Sequence, residues 1–148
     1  MNIFEALRAD HDKQRELAAA LIKTQGDSVE RDKLFAELKT ELKAHAAAEE
    51  RCFYIPLMED DFTQEKSRHS VAEHHEIDEM IEKLEETEYS SPGWLVEAKN
   101  LHHRVHHHLK EEEHEVFQMA GKVLTDTQKS SLATDYEQTM TEQRSKDW

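Results

Sequence analysis

Residues 102–115 read HHRVHHHLKEEEHE and hold six histidines and four glutamates but only two apolar residues. Hydrophobic burial alone does not explain why a helix of this composition would pack. One interpretation is a charged helix face in contact with solvent, which accounts for most of these side chains. The other is that one histidine and one glutamate point inward and bind a metal ion. The remainder of the chain distinguishes the two interpretations.

The length and composition favour one all-α domain. A chain of 148 residues fits a single domain with a substantial core. Three glycines and two prolines leave few residues for turns, which argues against sheets of many strands. Charged residues make up 35% of the chain and the mean hydropathy is -0.91, yet apolar residues recur at helical spacing. This combination is typical of long amphipathic helices, and disorder is the less favoured alternative.

The net charge of -14 makes cations the natural partners of this chain. No cluster of Lys and Arg indicates nucleic-acid binding, and anionic membrane surfaces are disfavoured for the same reason. Cys52 is the only cysteine, so no internal disulfide can form. The N-terminus does not resemble a signal peptide, and no apolar run is long enough to span a membrane. We therefore expect a cytoplasmic protein with no nucleic-acid and no membrane partner; its oligomeric state is open.

Apolar residues at helical spacing predict four long helices and one shorter polar helix. We expect an antiparallel up-down-up-down four-helix bundle over residues 1–124 and a C-terminal helical appendage over residues 125–148. The appendage either docks weakly on the bundle or frays. Gly26 and Ser91-Pro92 predict breaks between helices, and Thr125 with Gln128 predicts a capping box. The predicted helices cover about residues 3–24, 29–58, 64–87, 94–123 and 126–143.

Six polar residues fall on the apolar seams of these helices, where core residues are expected. His45 and Glu49 lie one turn apart on the seam of the second helix, and His108 and Glu112 do so on the fourth. The first and third helices each contribute one such histidine. The candidate metal ligands are therefore His11, His45, Glu49, His74, His108 and Glu112.

The six residues form two sets related by one sequence shift. His11, His45 and Glu49 each move by 63 positions to give His74, His108 and Glu112. A single core histidine is more often satisfied by hydrogen bonds than by a metal. Buried carboxylates, however, are costly without a counter-charge, and a recurring set of four imidazoles and two carboxylates has no simpler explanation. The repeat therefore predicts two helical hairpins that bind metal between them.

Imidazole and carboxylate donors narrow the choice of metal and of chemistry. This donor set suits iron, with manganese and zinc as possible substitutes. A structural zinc site would favour thiolates, and a zinc protease would need a His-Glu-x-x-His motif, which this chain lacks. Two ions that share bridging carboxylates would keep open positions for water, oxygen or another diatomic molecule.

The order and spacing of these motifs resemble those of the hemerythrin-like (HHE cation-binding) family over roughly residues 3–124. Ferritin-like bundles differ, because their motif places Glu before His. The residues that carry the resemblance are Asp10-His11-Asp12, His45-Ala-Ala-Ala-Glu49-Glu50 followed by Phe53-Tyr54, Glu73-His74, and His108-Leu-Lys-Glu-Glu112-Glu113 followed by Phe117.

The resemblance implies a non-haem di-iron site within the bundle. Glu49, Glu112 and a solvent oxygen would bridge the two ions, and the four histidines of the set would be terminal ligands. Oxygen-carrying hemerythrins have a further histidine one turn after the third-helix ligand, where this chain has Asp78. That departure argues against reversible oxygen carriage and makes Asp78 a candidate seventh ligand, a hydrogen-bond partner of a ligand, or a solvated side chain. Ile55 also separates Tyr54 from the proline that usually follows the aromatic residue.

Three functions are compatible with such a site. The first is a di-iron protein that binds O2, NO or a related small oxidant for sensing, storage or scavenging. The second is a di-iron oxidoreductase that turns over peroxide or nitric oxide. The third is an iron-buffering protein. The sequence assigns no catalytic residue beyond the metal ligands, so whether the protein is an enzyme stays open.

Overall fold

The computed structural model describes residues 1–148, and the chain is all-α, with no strand. Two of its five helices continue without interruption through a π-helical turn. Val29–Glu49 passes through Glu50–Tyr54 into Ile55–Met58, and Pro92–Glu111 passes through Glu112–Val116 into Phe117–Val123. The five helices are α1 (Ile3–Leu21), α2 (Val29–Glu49), α3 (Gln64–Glu86), α4 (Pro92–Glu111) and α5 (Asp126–Arg144). They agree with the five predicted helices, although α1 ends three residues earlier than expected.

Side-chain caps fix where most helices begin. Ser28 caps α2 and Ser91 caps α4, with Pro92 at the first helical position. The capping box predicted for α5 is confirmed, since the Thr125 hydroxyl accepts from the Gln128 amide and the Gln128 side chain accepts from the Thr125 amide. Gly26 has a φ of 60°, which is left-handed backbone that glycine adopts without strain.

The two π-helical turns lie directly at the predicted glutamate ligands. Glu49 is the last residue of α2 before the first turn, and Glu112 is the first residue of the second turn. Pro56 supplies a physical reason for the first π turn, because its ring crowds the carbonyl four residues earlier and it has no amide hydrogen to donate. Single π turns inside α-helices occur frequently at functional sites.

Two apolar clusters make up the core, one toward each end of the bundle. The first cluster contains Phe53, Tyr54 and Tyr136, and the second contains Ile81 and Trp94. None of the six predicted ligands belongs to either cluster, although all six are buried. No helix is both long and apolar enough to cross a membrane.

Helix α5 packs against α1 and α2. Its Ala133, Tyr136 and Met140 are buried and belong to the first apolar cluster. Of the two alternatives for this helix, docking and fraying, the structure shows docking. The contact of α5 with the bundle includes a large buried aromatic residue, Tyr136.

Candidate metal centre

The six predicted ligands lie together in the interior, and each is at most 5% exposed. They form two overlapping groups in which the ligand atoms lie within 4.8 Å of one another. The first group contains His11 and His45, the second contains His74 and His108, and both glutamates belong to both groups. The sequence repeat therefore corresponds to two adjacent groups of side chains that could each hold a metal ion.

Each glutamate directs one oxygen toward each group. The Oε2 atom of Glu49 lies 3.4 Å from His45 Nε2, and its Oε1 atom lies 3.1 Å from His74 Nε2. Glu112 repeats this arrangement, with Oε1 3.4 Å from His11 Nε2 and Oε2 3.4 Å from His108 Nε2. Both carboxylates therefore offer one oxygen to each of the two ligand groups.

All but one of the inward-facing donor atoms have no hydrogen-bond partner. Buried polar groups in proteins are nearly always hydrogen-bonded, and an unpaired one costs roughly 1–3 kcal/mol. Seven unpaired donor atoms meet at this one place, and a pair of cations would satisfy all of them. These atoms are Nε2 of His11, His45, His74 and His108, both carboxylate oxygens of Glu49, and Oε1 of Glu112.

The outer nitrogens of three histidines are hydrogen-bonded, which sets their tautomers. His11 Nδ1 lies 2.8 Å from Glu113 Oε2, and His108 Nδ1 lies 3.1 Å from Glu73 Oε1. A carboxylate only accepts, so each Nδ1 carries a hydrogen, and in the neutral imidazole each Nε2 presents its lone pair to the interior. Partners of this kind orient metal-ligating histidines and increase their basicity. The Nδ1 of His74 has a weaker contact, 3.8 Å from Glu50 Oε1.

The partner of His45 comes from α5, outside the sequence repeat. The Tyr136 hydroxyl donates to Asp10 over 2.7 Å, so at 2.6 Å it accepts from His45 Nδ1. Arg144, the last residue of the same helix, donates to Asp10 and to Glu41. A single network thus connects α5, α1 and α2 to one ligand of the site.

The carboxylates of the site and their neighbours perturb one another strongly. Burial and the charge of Glu49 raise the pKa of Glu112. Burial lowers the pKa of His11, but the carboxylates of Glu112 and Glu113 outweigh it and raise that pKa well above its ordinary value. These pKa shifts indicate an excess of negative charge in the interior, which cations bound by the two ligand groups would offset.

Tyr54 has a closer relation to the site than the sequence indicates. Its hydroxyl donates to Oε2 of Glu112, the oxygen that faces His108. Burial, followed by the charge of Glu112, raises the pKa of this hydroxyl well above its usual range. The sequence places an aromatic residue here as part of the family motif, but spacing alone does not show which way its hydroxyl points.

A small enclosed cavity of about 10 Å³ lies beside the site. His45, His74 and His108 form part of its wall, and Leu42, Ala46, Ile77 and Val105 make the rest largely apolar. Gln14 also lines it; this side chain is 1% exposed, and its Nε2 has no hydrogen-bond partner. A cavity of this volume holds about one molecule of water size.

The structure does not bring Asp78 into either ligand group. Its carboxylate lies 3.2 Å from the Lys43 ammonium, and the residue lines the small cavity instead. The remaining histidines of the 102–115 stretch lie outside both groups, and His103, His107 and His114 are exposed. Most of that stretch is therefore a solvated surface.

The protein is helical and carries six buried His and Glu side chains in two overlapping groups. These features are those of a metal-binding helical bundle. The comparisons agree. The chain belongs to the hemerythrin HHE cation-binding domain family, whose profile matches residues 2–120.

The structural comparison points to the same family. The fold is similar to the crystal structure of a hemerythrin HHE cation binding domain-containing protein from Mycobacterium kansasii. The two have a TM-score of 0.88 and 26% identity, over 97% of this chain and 88% of that one. A curated relative, a DNA nickase from Nostoc sp. (strain PCC 7120), is 26% identical over 136 residues. That match covers 92% of this chain but only 38% of the nickase, so the chain spans less than half of the relative's length.

Proposed function

We propose that this protein binds two iron ions in an antiparallel four-helix bundle and uses them to bind a small oxidant such as O2 or NO. The observation that supports this proposal most directly is the set of unpaired inward donor atoms. Mixed imidazole and carboxylate donors favour iron, and manganese or zinc could substitute. When bound, the iron pair would supply open positions for a small ligand and a change of oxidation state.

The residues of the chain would divide the work of such a site. His11 and His45 would serve one ion and His74 and His108 the other, while Glu49 and Glu112 would bridge them. Glu113, Glu73 and Tyr136 would hold three imidazoles in the tautomer that ligation requires. The small, mostly apolar cavity would favour small ligands such as a diatomic molecule or azide over larger substrates.

Metal content of untagged protein and of the His108→Ala variant tests the proposal. Protein purified without oxygen and reconstituted with ferrous iron should hold two ions per chain. The variant should lose one or both, because one ion would have no remaining imidazole except His74. Spectra recorded on addition of O2 or NO should then change only in the wild type. A wild-type protein with no stoichiometric iron, or a variant with undiminished iron, would reject the site.

The contact between Tyr54 and Glu112 favours a second candidate, turnover of peroxide. Two peroxide molecules yield one O2 and two waters, so this reaction needs no external reductant. A hydroxyl that donates to a ligand carboxylate could deliver and recover the protons involved. Turnover well beyond one equivalent per site is the expected result, with a clear loss in Tyr54→Phe. A reaction that stops after one equivalent leaves the binding function as the better description.

The DNA-directed activity named for the Nostoc relative is not part of this proposal. The chain covers a minor part of that protein, and its net charge of -14 opposes contact with phosphates. We also propose a cytoplasmic location, because the single cysteine, Cys52, is free and buried, which fits a reducing compartment.

A further inference from the structure

A second cluster of metal-type donors lies outside the six predicted ligands. It is built from His69 and Glu73 on α3 and from His107 and Glu111 on α4. His69 Nε2 lies 3.5 Å from Glu73 Oε1 and 3.1 Å from Glu111 Oε1. His107 Nε2 lies 3.2 Å from the other oxygen of Glu111. One ligand atom from each of His69, Glu73 and Glu111 falls within 4.8 Å of the others.

The two helices present the same spacing toward each other. In each pair the glutamate follows the histidine by four residues, which places both side chains on one helix face. On α4 this pair directly precedes His108 and Glu112 in the sequence, displaced by one residue. Consecutive residues differ by about 100° around a helix, so one pair faces the interior and the other faces the groove toward α3.

The distances between donors match those around a first-row metal ion. Bonds of about 2.0–2.1 Å to nitrogen and oxygen in a tetrahedron place neighbouring ligand atoms about 3.3 Å apart. The three contacts of the cluster, at 3.5, 3.1 and 3.2 Å, lie close to that separation. Two imidazoles favour zinc or ferrous iron over magnesium or calcium, which take oxygen ligands.

One member of the cluster is already fixed in position. Glu73 is 4% exposed, and its Oε1 accepts from His108 Nδ1 at 3.1 Å. Glu111 is partly buried, whereas His69 and His107 are exposed and reach solvent. A rigid carboxylate below two accessible imidazoles leaves the entry of an ion from solvent unobstructed.

We propose that His69, Glu73 and Glu111 form a peripheral binding site for one divalent transition-metal ion, with His107 as an additional donor. The site is distinct from the interior pair and connects to it through the contact of Glu73 with His108. Because its donors are separate from the six interior ligands, the proposal does not depend on which ions occupy the interior.

Zinc uptake by iron-reconstituted protein tests the peripheral site. Wild-type protein, His69→Gln, Glu111→Gln and the control His75→Gln are dialysed against zinc, and both metals are counted. His75 is exposed on the same helix as His69 but belongs to no donor group. Wild type and control should each bind one zinc more than either cluster variant, with equal iron in all four. Zinc anomalous diffraction should place that ion between α3 and α4.

Zinc uptake equal in all four proteins would overturn the site, because the ion would then bind elsewhere on the histidine-rich surface. No zinc uptake by the wild type would overturn it as well. Failure of the proposed interior iron site would show separately, as a wild-type protein that contains no iron after reconstitution. If zinc then fills the interior too, the difference of one ion between wild type and the cluster variants persists. Thermal melting of each variant confirms that it is folded.

Discussion

The amide of Gln14 is a buried donor with no partner, and it lines a cavity that three histidine ligands also form. A donor left unpaired in an apolar cavity is available to a bound ligand that accepts a hydrogen bond. Such a bond contributes about 0.5–1.5 kcal/mol. At the level of single residues, Gln14 is therefore the side chain best placed to select what binds beside the proposed metal pair.

We expect Gln14→Leu to weaken binding of azide, a small hydrogen-bond acceptor, up to about tenfold while iron content stays unchanged. Azide titration of iron-loaded protein, followed by visible absorption, gives the dissociation constant. Gln118→Leu, at an exposed position of α4, is the matched control and should bind azide as the wild type does. Equal affinity in both variants would show that Gln14 does not contact the ligand.

At the level of elements, α5 supplies what the sequence repeat lacks. Glu113 and Glu73 accept hydrogen bonds from the outer nitrogens of His11 and His108. Asp10, which corresponds to Glu73 in the repeat, reaches His45 only through the hydroxyl of Tyr136. Helix α5 therefore supports one of the proposed metal ligands, His45.

Tyr136→Phe should lower metal affinity about 10–100-fold, the usual effect of removing a partner that orients a ligand. The substitution deletes one hydroxyl and leaves the buried ring in place. Zinc competition with a chromophoric chelator, carried out in the His69→Gln background so that the proposed peripheral site does not contribute, measures the affinity. Tyr89→Phe is the control, because that hydroxyl donates to Asp32 at an exposed position away from the site. Unchanged affinity in Tyr136→Phe would mean that packing alone orients His45.

At the level of the whole molecule, metal binding and folding should be coupled. The unfolded chain does not assemble the six donors, so ions bind the folded state and stabilise it. An ion at a thousand times its dissociation constant adds about 4 kcal/mol, or roughly 10 °C in melting temperature for a chain of this size. Calorimetry with and without a chelator should show this difference, and His108→Ala should reduce it. Identical melting with and without metal would contradict the coupling.

A second whole-molecule prediction concerns acid stability. Burial raises the pKa of Glu41, but Arg144 and Lys13 outweigh it and lower that pKa. Its stabilising effect is therefore present above the unfolded pKa of about 4.3 and is lost as the pH falls below it. Glu41→Gln should cost about 1 kcal/mol at pH 7, since the pair is partly exposed to solvent.

The loss of unfolding free energy caused by Glu41→Gln should be smaller at pH 3.5. At that pH the Glu41 carboxylate of the unfolded wild-type chain is largely protonated, so the advantage of its ionised form in the folded state is reduced. Urea unfolding of metal-free protein at the two pH values measures both free energies, and removal of metal keeps acid release of ions out of the comparison. If the difference in unfolding free energy between wild type and Glu41→Gln is the same at both pH values, the effect comes from packing and not from the charge of Glu41.

The sequence by itself determined the helices and the inward set of six. Periodicity places His45 and Glu49 on a buried seam, and the shift of 63 residues identifies the equivalent set in the second half. These are local properties, because the helical repeat alone decides which residues share a face. The family follows from the same residues, and the match to residues 2–120 confirms it.

Only the tertiary structure decided what surrounds those six residues. The hydroxyls of Tyr136 and Tyr54, the amide of Gln14 and the groove between His69 and Glu111 all depend on how separate helices meet. Periodicity shows which side of a helix is buried but not which atom of a neighbouring helix it contacts. Asp78 shows the same limit, since the family resemblance made it a candidate ligand while the fold brings it to Lys43.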